Sequence, residues 1–188
     1  MNTIDLQKLP YRRGVGLCIF NAAGLVLMAE RRDRLGAWQM PQGGINKDEE
    51  ASLTALREMK EEVGTDNARI IAKLPAPLRY EFPDWLQNRR LGKDASTGTV
   101  IFRGKYRGQE QEWFALRFLG QDSDIDLSGE HEPELPEFVA WKWCELAATP
   151  AMIVPFKKPV YDAVAAGFAT IADAIKRGEE FPAWKAGN

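Results

Sequence analysis

Apolar residues gather in short extended runs on either side of one long charged stretch, and the period of each run says what it becomes. Gly14–Phe20 and Leu25–Glu30 read as strands joined by the turn Asn21-Ala22-Ala23-Gly24. Further on, Ile70–Lys73, Leu78–Phe82, Glu112–Phe118 and Phe138–Trp143 look extended as well. Two segments follow a helical period instead. Lys47–Val63 sets Leu56, Met59 and Val63 on one arc with the small residues Ser52 and Ala55, and Lys158–Arg177 has the alanine-rich look of a closing helix. Strands around two separated helices predict an α/β layer structure. With no internal repeat, linker or low-complexity tract, the pattern predicts one domain over residues 1–188.

The charged stretch holds the candidate chemistry. At about 100° per residue, Glu58, Glu61 and Glu62 stand at i, i+3 and i+4 and project from one face of the first helix. A solvated Glu-rich face normally pairs glutamate with lysine or arginine four residues on. Here Glu58 meets Glu62, and like charges at that spacing destabilise by a few tenths of a kcal/mol, about what an opposite pair would contribute. A hard divalent cation resolves the conflict, because Mg²⁺ takes carboxylate oxygens and keeps its other positions for water and substrate phosphates. Gly43-Gly44 lets the backbone approach closely enough for a carbonyl to join the shell. Asp48, Glu49 and Glu50 suit the positive N-terminal end of the helix, and Gly64 suits a left-handed residue just past its C-terminus.

These residues carry a resemblance. Gly43, Glu49, Arg57-Glu58, Glu61-Glu62 and Gly64 match the Nudix box, G-x5-E-x7-R-E-U-x-E-E-x-G-U with U a bulky aliphatic; Met59 fits the first U loosely and Thr65 departs from the second. The resemblance implies a Nudix α/β/α sandwich with a mixed β-sheet between helices. It implies Mg²⁺, with Mn²⁺ able to substitute, at Gly43, Glu58, Glu61 and Glu62, and substitution at phosphorus by water. Arg57 is then an orienting residue paired with Glu49, while Glu61, Glu62 or a carboxylate elsewhere in the chain serves as general base.

The likeness extends beyond the box. Tyr11-Arg12-Arg13-Gly14-Val15-Gly16, Trp38-Gln39-Met40-Pro41-Gln42-Gly43-Gly44-Ile45-Asn46, Pro136-Glu137-Phe138-Val139-Ala140-Trp141-Lys142-Trp143 and Phe156-Lys157-Lys158-Pro159-Val160-Tyr161 resemble stretches of bacterial RNA pyrophosphohydrolases. That branch includes enzymes that trim 5′-triphosphorylated RNA and enzymes that split diadenosine polyphosphates. By resemblance Glu137 joins the metal site and Arg12 and Phe156 sandwich a nucleobase, with Arg31, Tyr80 and Lys157 as phosphate or ribose contacts. Pro159 and Ala37 depart from the branch, whose members carry a polar residue at the first position and, in the RNA enzymes, serine at the second.

Composition narrows the chemistry. A chain of 188 residues, 45% hydrophobic, can bury an ordinary core. It shows neither a membrane-length apolar run nor a signal pattern, so the expectation is a cytoplasmic protein with no membrane contact and no obligate protein partner. Cys18 and Cys144 sit in apolar runs and read as reduced, buried thiols. With His131 as the one histidine, a Ser-His-Asp triad or a multi-histidine zinc site is improbable, and no P-loop exists. Arg89–Arg107, part of a long basic loop at about 88–108, carries six basic residues against Asp94 and reads equally well as a phosphate-holding segment or a solvated hairpin. By resemblance the substrate is a 5′-triphosphate RNA end, with a dinucleoside polyphosphate as the alternative. The contrasting hypothesis, a non-catalytic nucleotide-binding regulator, expects a lost glutamate within Arg57–Glu62, and none is lost.

Overall fold

A computed structural model describes residues 8–83, 105–128 and 136–185, and the backbone of 92–93 and 100–101. Ten strands and two α-helices are present among them: β1 Tyr11–Phe20, β2 Val26–Arg31, β3 Trp38–Gln39, β4 Gln42–Gly44, α1 Ala51–Val63, β5 Ala68–Lys73, β6 Leu78–Glu81, β7 Gly92–Lys93, β8 Val100–Ile101, β9 Gly108–Phe118, β10 Phe138–Cys144 and α2 Lys158–Lys176. A mixed sheet runs in the order β10-β2-β1-β9-β5, with β3 added to β2, β4 to β1 and β6 to β9. Among the described residues only β1 and β9 pair in parallel, from Tyr11↔Gly108 to Phe20↔Arg117.

The continuous apolar run of β1 reflects burial on both faces. Val15, Leu17 and Ile19 pack with Ala55, Met59 and Val63 of α1. Cys18 and Phe20 face the other way, into a second cluster with Val160, Tyr161, Val164 and Phe168 of α2. Strand β9 alternates likewise, Phe114 and Leu116 toward α1 and Trp113 and Ala115 toward α2. Each such side chain, when fully buried, contributes about 1.5–3 kcal/mol, so both helices are fixed by the sheet rather than by their own propensity. Cys18 is buried and Cys144 half-buried, and both are free thiols.

Helix α1 begins at Ala51, not at Lys47. Asp48 has left-handed backbone (φ 63°), and the Glu49 carboxylate accepts the Asn46 N–H at 3.0 Å, so the acidic residues expected in the first turn shape the preceding loop instead. The buried face also differs from the expected arc: it consists of Ala51, Thr54, Ala55, Glu58, Met59 and Val63, while Ser52 and Leu56 are half-buried. At the C-terminus Gly64 does turn left-handed, at φ 80°, donating its N–H to Lys60 O at 3.0 Å. A Cβ there would also stand 2.4 Å from Asp126 O, so the position excludes a side chain on two grounds.

Strands β1 and β9 extend further than their apolar runs. Tyr11-Arg12-Arg13 and Gly108-Gln109-Glu110 pair with each other beyond the core, where no hydrophobic alternation marks them. The short strands β3 and β4 have no sequence signature either. Of the basic segment 89–107, β7 and β8 pair antiparallel; the rest of it before Lys105, and His131, lie outside the described residues.

Candidate active site

Strand β4 divides the site. Gln42, Gly43 and Gly44 pair with Gly16, Val15 and Gly14 of β1, so alternate residues face opposite sides of the sheet. Gly43 faces α1: a Cβ built on it would stand 1.7 Å from the Glu58 carboxyl carbon and 2.0 Å from each oxygen. Gly44 faces α2, and a Cβ there would stand 2.1 Å from Arg12 Nη2. Both glycines are thus places where a functional side chain lies directly on the backbone. The absent side chain of Gly14 opens the same ladder, since a Cβ on it would stand 2.7 Å from Gly43 O.

On the α1 side Arg57 organises the carboxylates. Its Nε and Nη2 hold Glu49 in a fork at 2.8 and 3.1 Å, and Nη2 also donates to Gly44 O at 3.0 Å. Nη1 lies 2.6 Å from Glu61 Oε2 and 2.9 Å from Glu58 Oε1. The guanidinium therefore ties the loop before α1 to the helix itself, and the Arg57–Glu49 pair implied by resemblance is present. Hydrogen bonds from Arg57 hold the Glu49 carboxyl down to about 2. Glu58 goes the other way. At 8% exposure, burial pushes it up to about 7 despite Arg57 beside it. Glu62 accepts the Gln42 N–H at 2.8 Å; burial, then Glu137 and Glu58, push its carboxyl well above the ordinary range.

Glu137 reaches this group from just before β10. Its Oε1 accepts from Arg31 Nη1 at 2.5 Å and from Gln39 Nε2 at 3.3 Å. The sequence-predicted set Glu58, Glu61, Glu62 and Glu137 is thus brought to one end of α1, beside Gly43. Among the described residues no three acids form a finished cation cage; Arg57 holds Glu58 and Glu61, and Arg31 holds Glu137. The donors nevertheless suit a hard divalent ion: all are oxygens, and Glu58 and Glu62 carry carboxyls raised by burial and by their acidic neighbours.

The α2 side is assembled from distant elements. Arg12, Gln109 and Tyr80 lie in one register across β1, β9 and β6. Tyr80 is buried, its ring 5.8 Å from that of Phe156, which sits in a 3₁₀ turn, Pro155–Lys157, before α2. Phe156 is half-buried and packs on the α2-side core. Arg12 and Phe156 therefore share a face, each close to Tyr80. Lys157 is buried with its Nζ 5.2 Å from the Tyr80 ring centre and 3.4 Å from Gln39 Oε1; burial, then the Arg31 charge, depress its ammonium to about 7. Arg31 is engaged with Asp33 and Glu137.

Sequence reasoning gave no role to the glutamines that join the two sides. Gln111 Nε2 donates to Gln42 Oε1 at 2.7 Å and to Gln109 Oε1 at 3.0 Å, Gln42 Nε2 donates to Gln39 Oε1 at 3.3 Å, and Gln39 Nε2 donates onward to Glu137. A signal existed. Gln109-Glu110-Gln111-Glu112 alternates amide and acid at period two, which on a strand sends the amides to one face, and Gln39 and Gln42 are polar residues in an otherwise uncharged segment.

A layered mixed sheet with a glutamate-bearing helix set against a glycine strand is the architecture of a hydrolase class. The chain belongs to the Nudix family, the NUDIX domain model matching residues 10–164. An RNA pyrophosphohydrolase of Rhodospirillum rubrum is 46% identical over 169 residues, covering 90% of this chain and 93% of that one. Another, from Erythrobacter litoralis, is 46% identical over 171 residues, covering 89% and 96%. Among solved structures the fold is shared with an E. coli dihydroneopterin triphosphate pyrophosphohydrolase (TM-score 0.57, 21% identity, 84% of this chain and 98% of that one). It is shared also with a C. elegans Ap4A hydrolase in a binary complex (TM-score 0.55, 19% identity, 85% and 98%). No described helix is long and apolar enough to cross a membrane.

Proposed function

We propose that the chain removes pyrophosphate from the 5′-triphosphate end of RNA, acting in the cytoplasm as one domain with Mg²⁺, or Mn²⁺ in its place. The observation that carries this reading is the meeting of Glu62 and Glu137 from separate parts of the chain, beside a helix whose Glu58 lies against Gly43. The relatives named RNA pyrophosphohydrolase support the choice of substrate.

Glu58, Glu61, Glu62, Glu137 and the Gly43 carbonyl would hold the cation. When bound, it supplies charge for the phosphate oxygens and acidifies a water. Arg57 holds Glu58 and Glu61 at a fixed angle to the loop that carries Gly44 and Glu49. A carboxylate of this set takes the proton of the attacking water; the α–β phosphoanhydride bond breaks, leaving a 5′-monophosphate RNA and free pyrophosphate. On the α2 side, Arg12 and Phe156 stack on a base, a contact that guanidinium and phenyl planes both make well. Tyr80 supports Phe156 from below, and the Lys157 amine serves the phosphates.

The test is kinetic, with 5′-triphosphate RNA and diadenosine tetraphosphate compared side by side in Mg²⁺. The expected result is a kcat/KM at least tenfold higher on RNA, with pyrophosphate as product. A preference for the dinucleotide would replace the substrate assignment. Binding without hydrolysis of either would make the chain a nucleotide-binding regulator.

A further inference from the structure

Glu137 lies outside α1 and has to be held from elsewhere. The turn between β2 and β3 does this. The backbone N–H of Arg32 donates to Glu137 O at 2.9 Å and its Nε to Pro136 O at 2.7 Å, which fixes the main chain. The side chain is fixed by Arg31, whose Nη1 donates to Glu137 Oε1 at 2.5 Å. Arg31 is fixed in turn, with Nε and Nη2 donating to the two carboxylate oxygens of Asp33 at 2.7 and 2.8 Å.

This geometry argues against Arg31 as a phosphate contact. The edge of a guanidinium that matches a phosphate is its fork of two parallel N–H bonds. Arg31 presents such a fork to Asp33, two residues away and 17% exposed, and turns a remaining corner to Glu137. Asp33 also cancels the arginine's charge, so the pair offers little attraction to a polyanion. What the arrangement does well is fix one carboxylate oxygen. With Oε1 of Glu137 claimed by Arg31 and Gln39, Oε2 is the oxygen left for a cation or for Glu62.

We infer that Asp33 and Arg31 act in series as positioning residues for Glu137, Asp33 setting the guanidinium and the guanidinium aiming the carboxylate. The inference rests on the reading of Glu137 as part of the reaction site. Its working part is the fork: lysine at position 31 keeps the charge but cannot span Asp33 and Glu137 together.

The experiment uses the full chain with Arg31→Lys, Asp33→Asn and Glu137→Ala, alone and in pairs. Readouts are Mn²⁺ affinity from the paramagnetic resonance of free Mn²⁺ without substrate, kcat and KM on 5′-triphosphate RNA, and Tm as a check on folding. Removing a partner that orients a metal ligand typically costs roughly 10- to 100-fold in affinity or turnover. Arg31→Lys and Asp33→Asn should each show a loss of that order in Mn²⁺ affinity and kcat, with KM changed less than about twofold, and neither should add to the loss in Glu137→Ala. A raised KM with unchanged kcat and Mn²⁺ affinity would make Arg31 a phosphate contact and overturn the inference, as would full additivity on Glu137→Ala. A wild-type chain that neither binds Mn²⁺ nor hydrolyses a polyphosphate would remove the site reading and the inference together; an active wild type with additive variants removes the inference alone.

Discussion

The two sides of β4 are built by opposite means. On the α1 side one helix supplies Arg57, Glu58, Glu61 and Glu62 at fixed spacing, and a glycine lets the Glu58 carboxylate lie on the backbone. On the α2 side Arg12, Gln109, Gln111, Tyr80, Phe156 and Lys157 come from four separate elements, and no short stretch holds more than two of them. The first side gathers carboxylates, two of them raised by burial, and so suits a cation. The second offers stacking surface, amides, a half-buried arginine and a buried lysine, and so suits a ligand. Turnover should therefore fail when the first side is altered, and recognition when the second is.

The largest effect should come from Glu62→Gln. The amide keeps the shape and can still accept the Gln42 N–H, yet it removes a negative donor from the reaction site. A fall in kcat of about two to three orders of magnitude is expected, a few kcal/mol of transition-state stabilisation. Tm should stay level or rise, because the carboxyl stands beside Glu58 and Glu137 with its charged form disfavoured. An active variant, or a melted one, would break the separation between chemistry and fold on this side.

Neighbouring glycines sharpen the contrast. Gly43→Ala forces a methyl into the Glu58 carboxylate, which Arg57 also holds, and should lower kcat roughly 10- to 100-fold, the range typical of a displaced ligand. Gly44→Ala meets only the flexible end of Arg12, so kcat should hold while KM rises a few-fold. Steady-state kinetics on both variants decides it. Equal effects on kcat would mean that β4 does not separate chemistry from recognition.

A third test uses pH without substrate. The Glu58 carboxyl is raised from the ordinary 4.5 to about 7, so the folded chain binds its proton more tightly than the unfolded one does. The stability this contributes is full below about 4.5 and is lost as pH rises through about 7. Glu49, lowered to about 2, changes only below 4.5, and Lys157, lowered to about 7, acts only above that, so pH 5 to 7 isolates the raised carboxyls. In that window the metal-free protein should lose several degrees of Tm, and added Mg²⁺ should restore more at pH 7 than at pH 5. A Mg²⁺ effect independent of pH would separate the cation from these carboxylates.

The same contrast explains what could be read from the chain. Glu58, Glu61 and Glu62 were legible because helical period alone puts them together, and Gly64 because its position after Val63 suits a left-handed cap. The start of α1 was not, since Glu49 serves Arg57 and the Asn46 N–H rather than the first turn, a choice made by a partner eight residues on. The polar ends of β1 and β9 carry no alternation of apolar residues, so their parallel pairing came only with the structure. Asp33 was invisible for a similar reason: its meaning depends on Arg31 bending back to it while reaching Glu137, and no local pattern encodes both contacts. Resemblance pointed to Arg12 and Phe156, but what each touches depends on Gly44 and Tyr80.

Phe156→Ala should leave kcat nearly unchanged and is the closest test of the α2 side. The ring leans on Tyr80 at 5.8 Å and packs partly on the core, so two roles compete in one side chain. Stacking on a base is worth about 1–3 kcal/mol by alanine substitution, which corresponds to a rise in KM of roughly tenfold at the lower half of that range. Being half-buried, the ring should cost only about 1 kcal/mol of stability when removed, a few degrees of Tm in a chain of this size. Because Tyr80 stays buried under the vacated position, leucine at 156 should recover the stability and leave the KM defect in place. Recovery of both by leucine would make Phe156 a packing residue, and recognition on this side would then fall to Arg12 and the glutamines.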